Sequence, residues 1–149
     1  MAGKTIQFIA LLCMGLSLIP SGAHIASMPN KIGMAEPDYF IAQRAYDGWW
    51  VLGLAWVAAV IANAALVISL RDQRPALHFA LAGLIAMLIT FAIFYVWTHA
   101  ANQATANWTT IPEDWEALRT RWEYSHAVNA FVVLLGFCSV ALAVITALD

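Results

Sequence analysis

Four apolar stretches set the limits on what this chain can become, at about residues 5–28, 47–70, 76–101 and 125–148. At about 1.5 Å per helical residue, each is long enough to cross a hydrocarbon core of about 30 Å. The expected fold is all-α: a four-helix transmembrane bundle that takes residues 1–149 as a single integral-membrane domain. Composition agrees, since 62% of the residues are hydrophobic and 11% are charged, against a charged share of about a quarter in soluble domains.

The first stretch, Thr5 to Met28, follows Lys4. A cleaved signal peptide is its rival reading, because a basic start, an apolar core and Ser21-Gly22-Ala23 make a small-x-small pattern that would leave a chain beginning at His24. Breakers then cluster from Pro29 to Pro37. Pro37 suits the first turn of a second helix, and the next strong break is at Arg71, so that helix is expected to run unbroken from Pro37 to Leu70, about 50 Å. Its polar start, Asp38 to Asp47, then overhangs the bilayer, with Tyr39, Tyr46, Trp49 and Trp50 as interfacial aromatics. Deeper in, Ala55/Ala59 and Ala58/Ala62 have small-xxx-small spacing for close helix approach, and Asn63 can hydrogen-bond to a neighbouring helix.

Arg71 to Pro75 makes a tight turn before the third span, Ala76 to Ala101, which carries His78 near one end and His99 near the other. Thr110-x-x-Glu113 has the form of a capping box and predicts the start of a fourth helix that continues to Leu148. Helices two and four overhang on the same side and are expected to form a small polar cap. Lys4, Arg71 and Arg74 face the cytoplasm if both termini are inside, and Lys31, Arg44, Arg119 and Arg121 lie opposite beside acidic neighbours. An N-in, C-in topology is the expectation.

The remaining totals exclude several classes. A net charge of −2 with seven scattered basic residues gives no basic stripe for nucleic acid. Cys13 and Cys138 form no local pair for thiol exchange. No internal repeat is visible, and neither repeats nor discontinuous helices support a transporter.

The chemistry concentrates between Trp115 and His126. Arg119, Glu123 and His126 fall on one helix face, where water meets lipid. Their plainest role is structural, with an Arg119–Glu123 ion pair at i, i+4 and interfacial imidazoles. Their alternative role is acid–base work on a hydrophobic small molecule arriving from the bilayer. Glu123 is then the base, His126 or His24 its partner, and Trp97, Trp108, Trp115 and Trp122 the flat walls. No cofactor is required by that reading. A single transition metal held by His24, His99, Glu123 and His126 is the competing chemistry, suggested by the Glu123-x-x-His126 spacing.

His24 with Pro29-Asn30-Lys31-Ile32, Tyr39-Phe40 with Gln43, Tyr46-Asp-Gly48-Trp49 and Asn107-Trp108-Thr109 form one set of motifs. Pro112-x-x-Trp115-x-x-Leu118-Arg119-x-x-Trp122-Glu123-Tyr124-Ser125-His126-Ala127 adds a denser one. Together they resemble a family of small bacterial four-helix membrane proteins grouped with the fungal anthrone oxygenases. The resemblance covers nearly the whole chain and implies a bacterial inner-membrane protein that oxidises an anthrone-like aromatic with dioxygen. It implies Glu123 or His126 as the base, with Arg119 or Asn30 steadying an enolate oxygen. His24, Asn30, Gln43, Trp108, Trp115 and Trp122 are then the expected substrate contacts, while His99 is outside the shared pattern. The alternative is a non-enzymatic membrane subunit whose cap binds a protein partner or lipid.

Overall fold

The computed structural model describes residues 2–147, which are mostly helical with no strand among them. Helix α1 is Ala2–Lys31, α2 Glu36–Gln43, α3 Gly53–Ser69, α4 Arg74–Ile93, α5 His99–Ala104 and α6 Trp115–Thr146. The expected end of the fourth stretch at Leu148 lies outside the described residues, as do Met1 and Asp149. Four helical stretches are long and apolar enough to cross a membrane: Gly3–Lys31, Trp49–Ser69, Arg74–Ala104 and Trp115–Thr146. They pack in a ring, α1 against α3, α3 against α4, α4 against α6 and α6 back against α1. Successive crossings alternate in direction, so one end of the bundle carries α2, the short turns after it and the loop that follows α5.

Large apolar side chains cover the outside, with Phe8 65%, Ile61 66% and Phe131 59% exposed. That is the pattern of a bundle solvated by lipid, whose interior is built from small residues that bring backbones together. Ala10 and Met14 of α1, Ala59 and Ala62 of α3, Ala76, Ala80 and Met87 of α4, and Val133, Val140 and Ala143 of α6 form the core. Ala59 and Ala62 therefore pack inward as expected, whereas Ala58 is turned outward. Asn63 does reach another helix, donating to Met14 Sδ at 3.2 Å. Removal of the residues before His24, as the cleavage pattern would have it, would take Ala10 and Met14 out of this core.

The closest approach is between α4 and α6. A Cβ at Gly83 would lie 2.5 Å from Val140 Cγ2, and one at Gly136 would lie 3.0 Å from Met14 Cε and 3.1 Å from Ala86 Cβ. At Gly83 a side chain would force Val140 to move, and at Gly136 it would be a tight fit.

Four local expectations are corrected. Pro29 does not end α1, which continues through it to Lys31; Ile32 N still donates to Met28 O at 2.9 Å, so the last turn is retained. The second helix is not continuous. Gly48, with φ +81°, breaks it between two short 3-10 turns, Arg44–Tyr46 and Trp49–Leu52. The capping box at Thr110 does not form, because α6 begins at Trp115 with Asp114 before it and no side-chain cap. Instead Trp115 N donates to Pro112 O in a turn. The cap, finally, has an aromatic centre rather than a polar one, made by Tyr39, Phe40, Ala101, Trp108, Leu118 and Trp122.

Candidate functional site

The last turn of α1 and the first turns of α6 meet beneath α2, and there two charged side chains are withdrawn from solvent. Lys31 Nζ lies 2.9 Å from Glu123 Oε1, with the two side chains 5% and 0% exposed. Tyr39 Oη donates to the same Glu123 oxygen at 3.1 Å, and Gln43 Nε2 donates to Tyr39 Oη. The ammonium also stands over the Tyr46 and Trp122 rings, 4.6 Å and 4.9 Å from their centroids. Ring faces are one of the few environments other than water that favour a cation. Tyr39 is held as a neutral phenol: burial, then the adjacent Glu123 charge, push its ionisation well above the ordinary tyrosine range.

The expected Arg119–Glu123 pair is therefore not made. Arg119 turns to the connection after α1, donating to Met34 O at 2.6 Å and lying 4.6 Å from the Trp115 ring. It ties the 32–35 segment to α6. Glu123 takes its counterion from another helix because Lys31 carries the charge into the interior, where Arg119 would have to leave the Met34 carbonyl to follow.

One helical turn further toward the membrane, His24 of α1 and His126 of α6 stack at 3.8 Å with planes 21° apart. Trp122 meets both edge-on, at 5.1 Å and 4.2 Å, and Tyr46 lies 4.5 Å from His24. These imidazoles form part of the wall of a cavity of about 580 Å³. Trp49 and Trp56 from the second crossing, Phe91, Phe94, Tyr95 and His99 from the third, and Trp122 complete its mainly aromatic lining. His24 is 7% exposed and its Nδ1 has no hydrogen-bond partner in the protein. A buried ring nitrogen left in that state is uncommon.

The third crossing is irregular at this depth. Residues Phe94–Thr98 form a π-helical turn, a distortion that concentrates at functional sites. Thr98 Oγ1 and Ser125 Oγ, 2.7 Å apart, pin that turn to α6. Farther along, Asn102 Oδ1 accepts from two indoles, Trp122 Nε1 at 2.8 Å and Trp108 Nε1 at 3.3 Å. Trp108 reaches the cap through an unusual loop in which Ala106, Asn107 and Trp108 all have left-handed backbone, with φ 48°, 57° and 62°. Each such non-glycine residue costs about 1–2 kcal/mol, offset here by Trp108 packing 5.2 Å from Tyr39 and 5.7 Å from Phe40.

A second, smaller cavity of about 430 Å³ adjoins the first, sharing Asp47 and Asn107 with it, and is lined also by Phe40, Gln43, Arg44, Trp108, Thr109 and Ile111. Of the residues expected at a site, His24, His99, Trp122 and His126 line the large cavity, and Gln43 and Trp108 line the small one. Glu123 and Arg119 line neither and act from behind the wall, while Trp115 packs on Arg119. Asn30 is exposed; the inward-facing residue of that motif is its neighbour Lys31. Trp97 belongs to the π-helical turn and lines neither cavity. Among the described residues no group of three or more His, Cys, Asp or Glu side chains is arranged to hold a metal ion. Of the four residues of the metal alternative, His24 and His126 stack on each other, and Glu123 Oε1 is occupied by Lys31 and Tyr39.

The fold and site define a polytopic helical membrane protein with an aromatic cavity beneath its cap. No protein-family model, curated protein or solved structure matches the chain.

Proposed function

We propose that this protein resides in the bacterial inner membrane with both termini in the cytoplasm, and that it oxidises a small hydrophobic aromatic with dioxygen. The observation that carries the reading is the stacked His24–His126 pair on the wall of an aromatic cavity, with His24 Nδ1 unpartnered. An imidazole at that position can take a proton from an acidic methylene flanked by aryl and carbonyl groups. The resulting enolate carbon then bonds to dioxygen, which is reduced as the carbon is oxidised. Return of the proton and cleavage of the O–O bond release water and leave a ketone, so that CH2 plus O2 becomes C=O plus H2O. Electrons come from the substrate itself, and the resemblance to anthrone oxygenases supports the same outcome.

In this scheme Glu123 is a positioning residue. Its bond to Lys31 holds the ammonium against Tyr46 and Trp122, the two rings that flank His24. Sidedness is supported by charge: of the basic residues at the cap end, Lys31 and Arg119 are buried and engaged. Lys4, Arg71 and Arg74 at the other end then outnumber Arg44 and Arg121, as the positive-inside rule requires.

The test uses the full chain in lipid nanodiscs with anthrone as the probe, following oxygen uptake and quinone absorbance over empty nanodiscs. Acceleration of at least tenfold is expected, with loss of that acceleration in His126→Ala and His24→Ala proteins that retain the wild-type melting temperature. Absence of turnover, together with no quenching of tryptophan fluorescence by anthrone, would sink the reading and leave a non-enzymatic membrane subunit.

A further inference from the structure

The small cavity shares Asp47 and Asn107 with the large one, but none of the residues that the catalytic proposal gives a role lines it. Arg44 and Asp47 both face it, and neither forms an ion pair among the described residues. Gln43, 4% exposed, lines it as well. The Gln43 amide nitrogen is committed to Tyr39, while its carbonyl oxygen Oε1 is buried without a partner. Phe40 and Trp108, 5.7 Å apart and near right angles, supply aromatic surface beside these groups. One guanidinium and one carboxylate without ion-pair partners, beside an aromatic wall, are complementary to a zwitterion. The guanidinium suits a phosphate, to which it can donate two parallel bonds. The carboxylate and the ring faces suit an ammonium that still carries N–H groups.

Position selects the source. Gln43, Arg44 and Asp47 precede the apolar stretch that starts at Trp49, and Asn107 to Ile111 follow the one that ends at Ala104. The cavity is therefore at headgroup level, immediately beyond the hydrocarbon ends of the second and third crossings. Ile111 on its rim is 50% exposed, a surface suited to the start of an acyl chain. We propose that this cavity binds the phosphoethanolamine headgroup of a bilayer lipid, with the phosphate on Arg44 and the primary ammonium on Asp47. A trimethylated choline headgroup has no N–H to donate to the Asp47 carboxylate.

Native mass spectrometry of the full detergent-purified chain tests this with dioleoyl phosphatidylethanolamine and dioleoyl phosphatidylcholine as competing probes, and soluble O-phosphoethanolamine in a parallel arm. Wild-type protein is expected to retain the ethanolamine lipid at least tenfold over the choline lipid. Arg44→Ala and Asp47→Asn, both changes at exposed positions, should abolish that preference without altering the melting temperature. Equal retention of the two lipids, or a preference that survives both substitutions, would overturn the proposal. Saturation by O-phosphoethanolamine with no retained lipid would overturn the lipid source, and with it the assignment. Neither arm depends on turnover in the large cavity.

Discussion

Lys31 and Glu123, one from the end of the first crossing and the other from the start of the last, form a buried 2.9 Å ion pair. Removal of one partner leaves an uncompensated charge in a low-dielectric site, which costs about 3–5 kcal/mol. Lys31→Met and Glu123→Gln are each expected to cause a loss of that order, read as a large drop in melting temperature in detergent. The Lys31→Met/Glu123→Leu double variant should recover much of it, because replacing both members with apolar groups removes the desolvation cost as well. A double variant no more stable than the singles would show that the pair is not a unit.

Asn102 serves two tryptophans through one oxygen. Asn102→Ala strands both indole N–H groups, at a cost of about 1–3 kcal/mol for a buried unsatisfied donor. Asn102→Asp keeps the acceptor and should retain most of the stability. Tryptophan emission should shift in the alanine variant far more than in the aspartate one.

Alkali should act on the cap through Tyr39. Its proton is bound more tightly in the folded chain than in the unfolded one, where tyrosine ionises near pH 10. A raised folded value contributes stability that is fully present below the unfolded value and is lost as pH rises beyond it. Melting temperature should therefore fall above about pH 10, and less steeply in Tyr39→Phe. While the cap is folded, Tyr39→Phe should leave the tyrosinate absorbance of an alkaline titration unchanged, and a reduced amplitude would contradict the buried phenol.

A methyl group placed at Gly83 meets Val140 Cγ2 at 2.5 Å. Overpacking of this kind costs about 1–3 kcal/mol. Gly83→Ala should be destabilised by that order, and Val140→Ala should relieve it in the same chain. Failure of the second change to rescue the first would place the strain elsewhere.

The crossings were readable because apolar length alone decides them, and the depth shared by His24, His99 and His126 follows from where each falls in its crossing. What remained hidden depends on choices made between helices. Glu123 had a cation one turn away in Arg119, and no local rule could show that Lys31 would arrive from α1 instead. Pro29 hid this further, since a proline there reads as a stop although the last turn of α1 survives it. Gly48 looked tolerable within a long helix, and only its left-handed backbone, which redirects α2 over the cap, reveals it as a break. The unpartnered Gln43 oxygen and the π-helical turn have no signature in residue type or spacing.

That turn has a consequence for the whole upper half of the molecule. A π turn holds one residue more than an α-helical turn, so the segment carrying His99 and Asn102 is out of phase with α4 by about 100°. Deletion of a single residue between Phe94 and Thr98 would reset the phase and swing the imidazole of His99 and the acceptor of Asn102 away from Trp122. The third crossing is in this sense an indexing screw: its one surplus residue sets the angle at which the chamber wall meets the lid.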